Sequence, residues 1–272
     1  MHIFFTDLDG TLLNSQSQIS PETRKAIDAY LQAGHKLVIS SGRSLSSING
    51  VIKSAGLPAD QLIIISYNGS YVYDTAAQKA LIEYRMKRQD VKHILDVCEE
   101  WNVHCHTYTD SEVICARHDP EIDFYTNSVK IPAIICEDVI SMLTQDPLKV
   151  LAVSLHDKNR LIELQHYLQP WMEGKYTSFF SCDQLLEFVD IRSGKGNAVR
   201  NVCRLLNISA KDAYAAGDAG NDISMLEAAG NSIAMCNGTP EAKKAASIVT
   251  RLDHDHDGLA EFFYRLADQS AS

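Results

Sequence analysis

Two carboxylates stand two residues apart near the start of the chain, Asp7 and Asp9 in DLDGTLL, directly after the run HIFFT. If the chain stays extended, side chains at that spacing face one side and can address one centre. The two charges repel unless a cation sits beside them, and a cluster of oxygen ligands with retained water is what Mg²⁺ prefers. Gly10 permits a tight turn or a close backbone approach. Taken alone, Asp-Gly is equally a plain turn signal. Ser41 and Gly42, in SSGRS, offer a hydroxyl and backbone amides to an anion at the start of the helical pattern SLSSINGVI. In GDAGND, Asp218 and Asp222 are four apart with Asn221 beside the start of ISMLEAAG, a further hard metal ligand, an amide donor and a helix cap. Lys195 lies between two glycines in SGKGNAVR, a positive charge at a helix start. The spacing GxxxxGK[ST] is missing, so this is no Walker A loop.

These residues need elements that bring them together. Short β-branched runs each lead through a polar turn into a helical pattern, the rhythm of βα units and a parallel sheet. The four clearest buried strands are HIFFT (2–6), KLVIS (36–40), LIIIS (62–66) and AYAAG (213–217). Between the first two, Ser20 as N-cap, Pro21 at the first helical position and Gly34 as the stop mark a crossover helix. In an open parallel sheet ligands bind beyond the carboxyl ends of the strands, which is where DLDGTLL, SSGRS and GDAGND stand.

From about 83 to 188 the character changes. A helix (DVKHILDVCEEW), two strands joined by a short turn (NVHCHTY, EVICAR), a strand (LKVLAVSL), a helix (KNRLIELQHYLQPW) and a strand pair (KYTSFFSC, LLEFVDI) describe an α+β insert. The expected organisation is a core from 1–82 and 189–272, discontinuous in sequence, with the insert at 83–188.

Length and composition agree with an ordinary globular enzyme: 272 residues, 45% hydrophobic and 22% charged. With 25 Lys and Arg against 35 Asp and Glu the net charge is −10. An acidic chain is poorly suited to nucleic acid, whose binding relies on Lys and Arg displacing counterions. No apolar stretch is long enough to span a bilayer. MHIFFTDLDG has no hydrophobic run of a secretory signal, and the seven cysteines are scattered without a CxxC pair. The expectation is a cytoplasmic protein with reduced thiols and neither nucleic-acid nor membrane partners. The charge is uneven: residues 83–188 hold 10 Lys and Arg against 18 Asp and Glu, and the remainder 15 against 17.

DLDGTLL, Ser41 in SSGRS, Lys195 in GKG and GDAGND resemble, in order, the four motifs of the haloacid dehalogenase superfamily of phosphohydrolases. The insert between the second and third resembles the type II α/β cap of the Cof-like subfamily. Ala219 departs from the Gly or Ser of many relatives, a small-for-small change. The resemblance implies a Rossmann-like three-layer αβα core with an inserted α+β cap, and a Mg²⁺-dependent phosphomonoesterase acting on a small phosphorylated metabolite such as a sugar phosphate. It implies that Asp7 is the nucleophile and Asp9 the acid and base. Asp7, the backbone carbonyl of Asp9 and Asp218 would hold Mg²⁺. Lys195, Ser41, Asn221 and the backbone amides of Leu8 and Gly42 would cradle the phosphoryl group, and Asp222 would orient Lys195 or a metal-bound water. The alternatives are a phosphosugar mutase on the same core, which favours clustered arginines in the insert, and an inactive binding module.

Weaker signals have plainer readings. Asn68-Gly69 is first a hairpin signal, although in similar proteins this asparagine faces the substrate region. Arg43 is a substrate or cap anchor, or equally a structural ion pair. His104 and His106 share one strand face and Cys105 the other, so half-buried strand residues are expected rather than a metal site. DHDHDG (253–258) imitates a calcium loop, but its twelfth position is Tyr264 rather than Glu, so an acidic turn is expected. Trp101 and Trp171 end helical patterns as packing residues.

Overall fold

The computed structural model describes residues 1–109 and 111–269. The chain divides into two compact units: Met1–Gly42, Ile48–Leu81 and the chain from Gly194 onward form the first, Arg43–Ser47 and Ile82–Ser193 the second.

The first unit opens with β1 (Ile3–Thr6), α1 (Pro21–Gln32), β2 (Lys36–Ser40), α2 (Leu45–Ser54), β3 (Leu62–Ser66), β4 (Tyr71–Asp74) and β5 (Lys79–Glu83). The chain then builds the second unit with α3 (Arg88–Glu100), β6 (His104–Tyr108), β7 (Val113–Cys115), α4 (Pro120–Val129), β8 (Ala133–Ile135), β9 (Lys149–Val153), α5 (Lys158–Met172), β10 (Tyr176–Cys182) and β11 (Leu185–Asp190). It returns with α6 (Lys195–Leu205), β12 (Ala213–Gly217), α7 (Ile223–Ala228), β13 (Asn231–Ala234), α8 (Pro240–Ala245), β14 (Ile248–Val249) and α9 (Ala260–Asp268).

The first sheet has the order β14-β13-β12-β1-β2-β3-β4-β5. Each neighbouring pair from β14 to β3 is parallel, and β4 turns back antiparallel on β3. Every residue of β1 and β3 is buried, as continuous apolar runs in a parallel sheet require. Ser20 Oγ accepts from Thr23 N–H at 3.0 Å and Pro21 opens α1. Phe4 of β1 meets Tyr30 of α1 and Phe263 of α9, with ring centroids 6.2 and 4.5 Å apart. Because β12, β1, β2 and β3 are adjacent and parallel, the segments leaving them emerge at one edge of the sheet. No helix among the described residues is long and apolar enough to cross a membrane.

The second unit is built on a sheet of order β10-β11-β9-β6-β7-β8, antiparallel except for the β7–β8 pair. Val150, Ala152, Leu186 and Phe188 pack with Ile94, Cys98, Leu161 and Leu164 of α3 and α5, and both Trp101 and Trp171 border this core. Within this unit, α4 and β8 had no counterpart among the elements expected from the sequence. The signal for α4 is local: Asp119 accepts from Ile122 N–H at 3.1 Å and Pro120 stands at the first position. The return point also differs from 188. β11 runs to Asp190, which pairs with Tyr176, and Ser193 N–H still bonds to the Asp190 carbonyl at 2.9 Å, so the second unit closes at Ser193.

The missing helix changes the account of the histidines, which are fully buried rather than half-buried. With Asp119 at its N-cap and Tyr125 within it, α4 completes a chain of contacts. Asp119 Oδ2 lies 2.8 Å from His104 Nδ1, His104 Nε2 3.1 Å from His106 Nδ1, His106 Nε2 3.1 Å from Tyr108 Oη, and Tyr108 donates to Tyr125 Oη at 2.6 Å. Lys149, buried and donating to Glu187 at 3.1 Å, stands 5.0 Å from the Tyr108 ring centre. Burial lowers the pKa of His104, with Asp119 opposing. It pushes His106 well below the usual value, helped by the charges of His104 and Lys149.

The folded state therefore refuses protons that the unfolded chain accepts near pH 6.5. This contribution to stability is complete above that pH and is lost as pH falls below it, by up to about 1.4 kcal/mol per pH unit for each histidine. Raised carboxyls such as Asp7 titrate with the opposite sign in this window, so the comparison is between proteins. In thermal melts from about pH 7.5 to about pH 5.5 the wild-type Tm should fall relative to that of His106→Gln, and parallel Tm profiles in the two would contradict this.

Candidate functional site

Asp7 directly follows β1, and its N–H still bonds to the Ala216 carbonyl of β12 at 3.0 Å. Beyond it the chain curls tightly. The Leu8 carbonyl accepts from the N–H groups of Thr11, Leu12 and Leu13 at 3.3, 3.0 and 2.8 Å, while the Leu8 side chain is buried and Asp9 is exposed. Lys195 is the first residue of α6, and its ammonium is completely buried. Nζ lies 2.6 Å from Asp7 Oδ1 and 2.6 Å from Asp222 Oδ1. The other oxygen of Asp222 accepts from the backbone N–H groups of Asp218 and Ala219 at 3.0 and 3.1 Å. Asp222 thus ties Lys195 to the loop that carries Asp218. Thr11, which the motif reading passed over, donates its hydroxyl to Asp218 Oδ1 at 2.7 Å. The clue was its place directly after Asp-Gly at a strand end.

Each of Asp7, Asp218 and Asp222 offers a carboxylate oxygen within 4.8 Å of the others, an arrangement able to hold a cation. Burial pushes the Asp7 carboxyl up to about 8; Lys195 opposes this, and Asp222 and Asp218 add to it. Asp218 is raised as well, by burial first, against the Thr11 hydrogen bond. Burial alone would lower Lys195, but the carboxylates of Asp222 and Asp7 outweigh it, so the ammonium stays charged. Three acids and one ammonium leave excess negative charge. The all-oxygen donor set suits a hard divalent cation.

The second loop is tied to the same place through the backbone. Ser41 N–H bonds to the Ile65 carbonyl at 2.9 Å, and the Ser41 carbonyl accepts from Asn68 N–H at 3.1 Å. The Asn68 carbonyl in turn accepts from Gly194 N–H at 3.0 Å, one residue before Lys195. Asn68 belongs to the β3–β4 hairpin, but in a longer loop than Asn-Gly alone specifies, with Tyr67 and Asn68 both left-handed at φ 49° and 52°. Its side-chain amide packs on Gly42, where a Cβ would come within 2.9 Å of Nδ2. Asn221 is half-buried in the turn Gly220–Asp222 ahead of α7. Arg43 opens the short segment that groups with the second unit.

Residues 4–263 match the family of haloacid dehalogenase-like hydrolases. The chain belongs to that family. Two curated relatives come from Bacillus subtilis. YxeH is 28% identical over 262 residues, covering 96% of both chains. The 5-amino-6-(5-phospho-D-ribitylamino)uracil phosphatase YwtE is 28% identical over 284 residues, again 96% of both. The crystal structure of a haloacid dehalogenase-like hydrolase from Bacteroides thetaiotaomicron superposes with a TM-score of 0.88 at 27% identity, covering 97% of this chain and 99% of that one. As a member of this hydrolase family the chain is an enzyme with a Rossmann-like core, and divalent metal dependence is general among the family's phosphatases.

A divalent cation should compete with the proton that Asp7 retains below pH 8, so binding releases protons and tightens between pH 6 and 8. At about 100 times its Kd such an ion stabilises by about 2.7 kcal/mol. Melting with and without Mg²⁺ should show a shift that is larger at pH 8 than at pH 6 and absent in Asp218→Asn; an equal shift in that variant would exclude the acidic cluster as its source. Lys195→Ala leaves Asp222 buried without its counter-charge and should cost about 3–5 kcal/mol by denaturant titration.

Proposed function

We propose that the protein is a Mg²⁺-dependent phosphomonoesterase acting on small phosphorylated metabolites, with sugar phosphates as the substrate class. The observation that carries this reading is the buried ammonium of Lys195, 2.6 Å from both Asp7 and Asp222, with Asp218 gathered beside them. A carboxylate held by a fixed cation at a strand end, next to a cluster that can take Mg²⁺, is equipped to attack a phosphate ester. The relative YwtE, a phosphatase of a phosphoribitylamino-uracil, supports a small phosphorylated substrate.

In this mechanism Asp7 attacks phosphorus and the bond from phosphorus to the ester oxygen breaks, leaving an aspartyl phosphate. Asp9 gives its proton to the departing alkoxide. It then takes a proton from the water that attacks the intermediate, which releases inorganic phosphate and restores Asp7. Lys195, Ser41, Asn221 and the backbone N–H groups of Leu8 and Gly42 hold the phosphoryl oxygens as charge spreads over them. Asp7, the Asp9 carbonyl and Asp218 would hold Mg²⁺, whose charge lets an anionic nucleophile approach an anionic ester. Asp222 keeps Lys195 in place. We assign substrate choice to the segment 83–188, whose acidic balance disfavours large polyanions.

A mutase needs cationic side chains for a second phosphate, and the arginines of this region are engaged elsewhere. Arg85 bonds Glu83 and the Asp146 carbonyl, Arg88 bonds Asp146 and the Leu143 carbonyl, Arg117 bonds Asp119, and Arg160 bonds the Trp101 carbonyl and lies over its ring. That favours hydrolysis over isomerisation. A phosphate-release screen over sugar phosphates, nucleotides and cofactor phosphates should show Mg²⁺-dependent release without isomerised product. Asp7→Asn should abolish turnover with the fold intact, and Asp9→Asn should be nearly as damaging; full activity in Asp7→Asn would sink the assignment.

A further inference from the structure

The acidic turn Asp253–Asp257 takes no part in the chemistry above, yet its carboxylates are all engaged. Asp255 accepts from the Ser15 N–H at 2.7 Å and from its hydroxyl at 2.6 Å. Asp257 accepts from the hydroxyls of Ser20 and, at 2.9 Å, Thr23. Asp253 accepts from Asp255 N–H at 3.0 Å and lies 2.6 Å from His256 Nδ1. The turn therefore grips the stretch that follows the Asp7–Leu13 loop.

Asn237 joins this turn to the loop itself. Its Oδ1 accepts from His254 N–H at 3.3 Å and its Nδ2 donates to the Gly10 carbonyl at 2.8 Å. Only one orientation of the amide satisfies both partners, because one is a donor and the other an acceptor.

Gly10 is where this hold matters. Its φ is +77°, and a Cβ there would lie 2.6 Å from Asp218 Oδ2, so the backbone rests directly on the Asp218 carboxylate. The Gly10 carbonyl and the Thr11 N–H belong to one rigid peptide plane. Holding that carbonyl sets the plane from which Thr11 directs its hydroxyl to Asp218 Oδ1. The preceding peptide carries the Asp9 carbonyl.

We propose that Asn237 is a positioning residue for the cation site, fixing the Gly10–Thr11 peptide against Asp218, with the Asp253–Asp257 turn as its brace. The proposal rests on the reading of the acidic cluster as a Mg²⁺ site. The Asn237 amide bonds to the Gly10 carbonyl and the His254 N–H rather than to a carboxylate of the cluster, so its removal should loosen the site without dismantling it.

The test is calorimetric titration of Mg²⁺ into the wild type, Asn237→Ala, Asn237→Asp and Asp218→Asn, with metal-free Tm and with kcat and KM at saturating Mg²⁺. Asn237→Ala should bind Mg²⁺ about fivefold more weakly, the size that one partly solvated hydrogen bond supports, while in Asn237→Asp the added negative charge offsets part of that loss. Their KM for the ester at saturating Mg²⁺ should stay at the wild-type value, the metal-free Tm of Asn237→Ala should stay close to it, and Asp218→Asn should lose binding. Wild-type Mg²⁺ affinity in Asn237→Ala, with or without a lowered Tm, while Asp218→Asn loses binding would overturn the proposal alone. Unchanged affinity in Asp218→Asn would overturn both the proposal and the cation reading beneath it.

Discussion

A buried ammonium is costly unless its partners are in place, by several kcal/mol for the ion alone. Lys195 meets that condition by drawing together three parts of the first unit: the end of β1 through Asp7, the start of α6, and the loop after β12 through Asp222. The other contacts of the site build on it. Asp222, held by Lys195, gives its second oxygen to the backbone of Asp218 and Ala219, and so sets the loop from which the Asp218 carboxylate projects. Asp218 then accepts from Thr11, which closes the circuit back to the β1 loop.

The same arrangement leaves the site short of positive charge. One ammonium cannot neutralise Asp7, Asp218 and Asp222 together, so the cluster either retains a proton or accepts a cation. That imbalance fits chemistry on an anionic ester, for which a fully compensated cluster would have little use. The second unit buries polar groups differently. Its His104, His106, Tyr108 and Tyr125 form a chain of largely neutral contacts ending at Asp119, and Lys149 is matched by Glu187. There the polar groups satisfy one another, whereas in the first unit the loops keep a surplus.

Much of the fold was legible because it is written in local pattern. β1, β2, β3 and β12 are continuous apolar runs, and α1 carries its own cap and stop, so each could be placed without knowing its neighbours. α4 and β8 were not placed, because PEIDFYTNSV has only a narrow apolar face and β8 is a three-residue strand. Their absence left His104 and His106 half-buried in expectation, since the groups that cover and satisfy them, Asp119 and Tyr125, lie on the helix that was missed. The β10–β11 ladder continues through Asp190, as the strand LLEFVDI implies, so the second unit runs past residue 188.

For the site, residue types were legible from the motifs, and the order of four motifs points to a family more strongly than any one of them. Side-chain identity at strand ends is a local property, and it carries the chemistry wherever a parallel sheet delivers it. Which atoms meet is another matter. That Asn68 joins the Ser41 loop to the start of α6 and that Asn237 holds the Gly10 carbonyl are contacts between residues 27 to 227 positions apart. Sequence spacing says nothing at such separations. Those pairings follow from the sheet order β12-β1-β2-β3, which puts four distant loops at one edge, and from the need of each buried charge and carbonyl there for a partner.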